Sequence, residues 1–184
     1  MEALRLATRL GVMNAGEILQ TDSPGEVMNH PVSEFVASLV GVENLLLGNV
    51  IKKNDSSIIV SVSGLEIEAM GSMEPGEKVV LCIRTENVIL SDVVHGGPAG
   101  TENTFPANVV RTTPMVPYQK IHLNCGFPLV AYVSNPSVSE LSLKKGSEVL
   151  ASFKAKRVHA IVGASRSVLT GAKSGGSSQQ DTVG

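Results

Sequence analysis

The apolar positions of this chain change rhythm once, near residue 41. Before that point they recur at helical spacing. Leu4, Ala7 and Leu10 fall three apart with Leu6 beside them, which predicts a helix over residues 2–10. Val12, Met13, Ile18 and Leu19 then flank Asn14, Ala15 and Gly16, the composition of a tight hairpin turn. In the next stretch, TDSPGEVMNHP, Ser23 is a good N-cap, Pro24 a good first helical residue and Glu26 the third residue of a capping box. His30 and Pro31 end that short helix. A second helix is expected over VSEFVASLVG, capped by Ser33, with Phe35, Val36, Leu39 and Val40 as its stripe and Gly41 as its stop.

After Gly41 the rhythm shortens to two. Short Val- and Ile-rich runs alternate with Gly, Pro, Asn and Asp up to about Val162, the pattern of a small β-barrel or sandwich. This region repeats. EPGEKVVLCIRTENVIL (74–90) parallels KKGSEVLASFKAKRVHAI (144–161), with Gly76 opposite Gly146, Arg84 opposite Lys154 and Val88 opposite Val158. Asn49 and Asn108 match at a spacing of 59, whereas the glycines match at 70, so the second copy carries an insertion. Much of it is VSNPSVSELSLKK, beginning at Val133 and rich in hydroxyls, Asn and Lys. Such additions to a rigid β scaffold commonly carry function. Within it, Asn135 or Ser134 caps a helix start, Pro136 opens it, and Val138, Leu141 and Leu143 face the barrel. The expected division is 1–41, 42–166 with halves of about 42–92 and 101–166, and a polar, disordered Gly/Ser tail over 167–184.

Composition narrows the chemistry. Aromatic residues are 3% with no Trp, so the core is aliphatic. A formal charge of −2 and scarce aromatics count against nucleic acid as a partner. Cys82 and Cys125 form no C-x-x-C pair and read as reduced thiols, and the four His residues show no metal-ligand spacing. No apolar run approaches the ~18 residues of a membrane span, so no direct insertion is expected. No nucleophile–base pair is visible, nor any G-x-x-x-x-G-K-[ST] to cradle nucleotide phosphates.

The stretch EALRLATRLGVMNAGEILQTDSPGEVMNHPVSEFVASLVGVENLL resembles the end of the ATPase domain in the ATP-binding subunit of bacterial and archaeal ABC importers. There an EA-x-x-LAD-R helix precedes V-M-x-x-G-x-I-x-Q, P-x-E-[IV], N-x-P and F-V-A-x-F-[IVL]-G. CIRTENVILS is similar to the I-R-P-E stretch of the attached TOBE regulatory domain, with Thr85 in place of Pro. The last third resembles the molybdate-binding, molbindin-like form, whose pattern is S-x-R-N, V-T-x-x-S-x-x-x-L-x-L-x-x-G and V-x-A-x-[FI]-K-A.

The resemblance implies a mainly β, OB-like (TOBE) barrel with a tandem repeat behind a small α+β remnant of an ATPase domain. It implies a regulatory region sensing molybdate or tungstate, in a cytoplasmic subunit peripheral to the membrane, a homodimer working with permease and ATPase partners. The signature and Walker B motifs are absent as well, and the chain begins just past where the family's switch histidine lies. No ATP hydrolysis is expected, whether this is a shortened gene product or an excised piece. Without its parent sheet, the stretch up to Gly41 is expected to pack on a neighbouring copy or to be poorly ordered.

Carried over by motif, Ser134 and Ser137 match T-x-x-S, and Lys154 with Ala155 match the K-A pair. Thr101 and Asn103 match S-x-R-N, with Glu102 where the family has Arg. Tetrahedral dianions need inward donors and positive charge, at about 1.5–3 kcal/mol per charged hydrogen bond. Four or five such bonds reach about micromolar affinity after ordering costs. Each residue also has a plainer reading: the serines as a helix cap, Lys154 as a solvated strand lysine, Lys144 and Lys145 as a solvated turn. Glu102 would repel a dianion if it pointed into the site, which leaves a purely structural dimerisation module as the other reading.

Overall fold

A computed structural model describes residues 7–94 and 96–163. The first strands, β1 (Leu10–Asn14) and β2 (Glu17–Asp22), form a hairpin turned by Ala15 and Gly16, both at positive φ, 48° and 87°. That primed geometry matches the strands' right-handed twist. Helix α1 (Pro24–Asn29) is capped by the Ser23 hydroxyl, which accepts the Glu26 N–H at 3.3 Å. Helix α2 (Glu34–Leu39) is capped likewise by Ser33 from the Val36 N–H.

Two expectations for this module need correction. Residues 7–9 are not helical, because Leu10 is drawn into β1 opposite Asp22; residues 2–6 lie outside the described residues. The buried face of α2 is Val36 and Ala37, while Phe35 and Leu39 point to solvent. The module has a core of its own, Val12, Val27 and Val36 with Leu10, Leu19 and Val40 against them. Ala37 then packs with Val42, Cys82 and Ile161, joining the module to the barrel.

The β region is mainly β, as expected, and shows its duplication in backbone detail. The first half contributes β3 (Asn44–Lys53), β4 (Ser57–Val62), β5 (Leu65–Met70), β6 (Lys78–Ile83) and β7 (Ile89–Ser91). The second contributes β8 (Asn103–Pro114), β9 (Tyr118–Asn124), β10 (Pro128–Ser134), helix α3 (Asn135–Glu140), β11 (Glu148–Phe153) and β12 (Val158–Val162). Register shifts fall at matching places, between Val50 and Lys52 in β3 and between Val109 and Arg111 in β8. Gly76 donates to the Val50 carbonyl and Gly146 to that of Val109, both at 2.8 Å. Both glycines sit near φ +90°, a conformation that strains any other residue, which is why each copy keeps Gly there. A 3-10 turn follows β6 (Thr85–Asn87) and another follows β11 (Ala155–Arg157).

The halves do not close on themselves. The closed barrel runs β12-β5-β4-β3-β6, and the second sheet runs β10-β9-β8-β11-β7. Each half therefore lends its last strand to the other: β12 pairs with β6 along Val158–Val162, and β7 pairs with β11. The two halves of the repeat are interlocked. One continuous core spans both, including Ile58, Ile67, Leu81, Phe127, Leu129 and Phe153. Two buried asparagines fasten the crossing. Asn44 receives the Val130 N–H at 2.7 Å and donates to the Val130 carbonyl at 2.9 Å. Asn103 does the same to Glu68, at 2.8 and 2.9 Å. No helix among the described residues is long and apolar enough to cross a membrane.

Candidate oxyanion site

Strand β11 ends in the buried Phe153. Lys154 follows in extended backbone (φ −81°, ψ 139°), and the 3-10 turn closes with Arg157 N–H on the Lys154 carbonyl at 2.9 Å. The first N–H of such a turn has no partner within it. That donor belongs to Ala155, and it reaches the carboxylate of Glu102 at 2.9 Å. Glu102 stands just ahead of β8, where Asn103 pairs with Phe153. The Ala155 N–H, foremost, holds the Glu102 carboxyl below the usual glutamate range, and Lys154 and Lys156 pull the same way. A lowered pKa means that this contact stabilises the fold above the ordinary glutamate pKa of 4.5 and is lost as pH falls through the folded value. An NMR titration of the Glu102 carboxyl is expected to show a midpoint below 4.5, with the Ala155 amide shift following the same curve. A midpoint at or above that value would contradict the contact.

The other carried-over residues are placed as follows. Thr101 donates its hydroxyl to the Pro98 carbonyl at 2.6 Å and lies 3.4 Å from the Thr104 hydroxyl. Asn103 is buried and turned inward onto Glu68, so both ends of its amide are committed to the fold. Ser134 caps α3: its Oγ accepts the Ser137 N–H at 3.4 Å and lies 2.9 Å from the Ser137 Oγ. Val138 and Leu143 are buried and Leu141 packs beside them, so the inserted segment closes over the second sheet at β9 and β10 while Ser134 stays exposed. Ser134 and Ser137 are thus one group, and Thr101, Lys154 and Ala155 another around Glu102. No hydrogen bond joins the two groups. Strand exchange explains the split, since β10, which ends in Ser134, packs on the first half's turn Thr85–Asn87, and the Ala155–Arg157 turn packs on β5.

A cluster outside the carried-over residues lies at the equivalent place in the first copy. Glu43 corresponds to Glu102 at the 59-residue offset. It accepts from the Tyr132 hydroxyl at 2.5 Å and pairs with Lys120, and Tyr132 stacks on Tyr118 at 4.4 Å. Burial works against the Glu43 charge, but hydrogen bonds from Lys120 and Tyr132 hold its pKa low. The same bond pushes the Tyr132 hydroxyl up to about 12. Extending the repeat register back to the G-x-E-N strings at Gly41 and Gly100 would have exposed Glu43. Cys82 and Cys125 are free and buried, their thiols pushed up to about 12 by desolvation. Among the described residues no set of His, Cys, Asp or Glu is arranged to hold a metal.

Residues 100–160, the stretch holding Glu102, Ser134, Ser137, Lys154 and Ala155, match the TOBE domain family. This part of the chain is similar to TOBE domains. The chain is 34% identical over 158 residues to the molybdate/tungstate import ATP-binding protein WtpC of Pyrococcus abyssi, covering 85% of this chain and 43% of that protein. It is 33% identical over 159 residues to WtpC of Pyrococcus horikoshii, covering 86% and 44%. The chain therefore spans less than half the length of these curated relatives, and the matched stretch is their C-terminal part. Among solved structures it is similar to the cytoplasmic molybdate-binding protein ModG in a form with molybdate bound. The TM-score is 0.60 at 20% identity, over 66% of this chain and 97% of that one. That likeness is one of fold, an OB-like β architecture.

Proposed function

We propose that this chain is the regulatory, oxyanion-sensing part of the ATP-binding subunit of a molybdate/tungstate-type ABC importer, with no ATP hydrolysis of its own. The observation that carries the reading is the Ala155 N–H beside Lys154. It is a donor already engaged by a negative group, the Glu102 carboxylate, at 2.9 Å. A tetrahedral dianion makes the same demand of this turn, and the similarity to WtpC supplies molybdate or tungstate as its chemistry. Thr101 precedes Glu102 with its hydroxyl on the Pro98 carbonyl, and Ser134 and Ser137 supply hydroxyls at the corner where β10 meets the Thr85–Asn87 turn. Asn103 contributes by fixing β8 rather than by touching the anion. The sensor works as a homodimer on the cytoplasmic side, with permease and ATPase partners. Anion binding shifts transport only so far as it prefers one arrangement of the pair over another.

Glu102 also favours a second reading, a dimerisation module whose donor is permanently occupied by its own side chain. Calorimetry with molybdate, tungstate and sulfate on the native chain and on Glu102→Ala separates the two. The sensing reading expects Glu102→Ala to bind molybdate or tungstate at least ~10-fold more tightly, since a charged hydrogen bond of about 1.5–3 kcal/mol becomes available and a repulsive charge is gone. Absence of heat from both proteins with all three anions leaves only the structural module.

A further inference from the structure

A second basic place does not include Glu102 in its lining. Between the end of α1 with the two residues after it (28–31) and the barrel is a cleft of about 310 Å³. It is lined by His30, Arg84, Lys156, Arg157 and His159, and among the described residues no carboxylate lines it. Two of its basic groups hold this segment through backbone carbonyls. Arg84 donates to Met28, and the His159 Nε2–H donates to Pro31 at 3.1 Å. The acids nearby stand outside the lining. Glu26 accepts from His30 Nδ1 at 2.9 Å, Glu86 lies 3.7 Å from Arg84, and Glu102 acts on Lys156 through space. No described carboxylate lies within ion-pair distance of Lys156 or Arg157. The other wall is apolar, with Val42, Met70, Cys82 and Val158.

The volume sits at the lower end of the ~300–1,000 Å³ typical of small-ligand pockets. It holds the equivalent of about ten waters at ~30 Å³ each, far more than a bare five-atom oxyanion fills. Convergent cations without a lining acid select a multiply charged anion, because guanidinium and ammonium donors match phosphate oxygens. The apolar wall adds a surface for an organic group.

We propose that this cleft is a binding site for a small phosphate monoester. Its phosphate lies on Lys156, Arg157 and Arg84, and its organic part lies against Met70 and Val42. The ligand touches both the N-terminal module and the barrel, so its binding stiffens the joint between them. The cleft uses the Lys156 and Arg157 side chains of the Ala155–Arg157 turn, whereas the oxyanion reading uses the Ala155 N–H, so the proposal does not depend on that reading.

The test titrates the full 184-residue chain with AMP, adenosine and inorganic phosphate by calorimetry. It repeats the titration on Lys156→Glu/Arg157→Glu, a change at two exposed positions, with circular dichroism to confirm the fold. AMP is expected to bind at least ~10-fold more tightly than adenosine or phosphate, and the double variant to lose at least ~10-fold. Molybdate in the same cell is expected to leave the AMP affinity unchanged. The proposal is overturned if AMP shows no binding or binds no better than phosphate. It is overturned equally if the folded double variant keeps its affinity, or if molybdate displaces AMP from the native chain.

Discussion

Asn103→Ala is expected to destabilise the protein by about 2–5 kcal/mol. Asn103 is 2% exposed, and its amide satisfies both the N–H and the carbonyl of Glu68 across the two halves. Alanine removes both partners at once, and a buried backbone group left unpaired costs about 1–3 kcal/mol. Chemical denaturation checks this, as a lower midpoint at unchanged slope. Asn44→Ala is the matched case, because Asn44 clasps Val130 in the same way. If either variant unfolds with the native midpoint, the clasps do not hold the halves together.

Phe153→Ala is expected to cost about 3–5 kcal/mol, the range for emptying a buried aromatic site. Phe153 is fully buried, 5.9 Å from the Phe105 ring, which in turn meets Phe127 edge-on at 5.3 Å. The chain holds 4 Phe, and three of them meet here, so an aliphatic core has few ways to refill the space. The loss reaches the donor turn as well, because Phe153 immediately precedes Lys154 and Ala155. Hydrogen exchange at the Arg157 amide, which closes that turn, is expected to quicken in the variant relative to amides of β4. Unchanged exchange there, together with a cost below about 1 kcal/mol, would contradict this packing.

What could be read from sequence was local. Ser23, Ser33 and Ser134 cap helices because a short hydroxyl followed by a free N–H needs no distant partner. The Ala15 and Gly16 turn and the two glycine turns of the repeat are local in the same sense. The exchange of β7 and β12 was not legible. An alternating strand carries the same pattern whichever neighbour it pairs with, and the exchange separates residues that the linear motif sets close together. Glu102 shows a different limit. Its position was evident, and its repulsion of a dianion follows from charge, but its bond to the Ala155 N–H depends on where the β11 turn meets the start of β8. Leu10 likewise continued a helical stripe in sequence, yet its pairing with Asp22 claimed it for a strand.

The traded end strands also bear on how the molecule comes together. Val158 must find Ile83, and Ser91 must find Leu150, so neither end of the duplicated region is finished until both are made. High sequence separation of this kind slows folding and couples it into one event. A piece cleaved between the copies would lack a closing strand on each side. Its cheapest remedy would be to borrow one from another molecule.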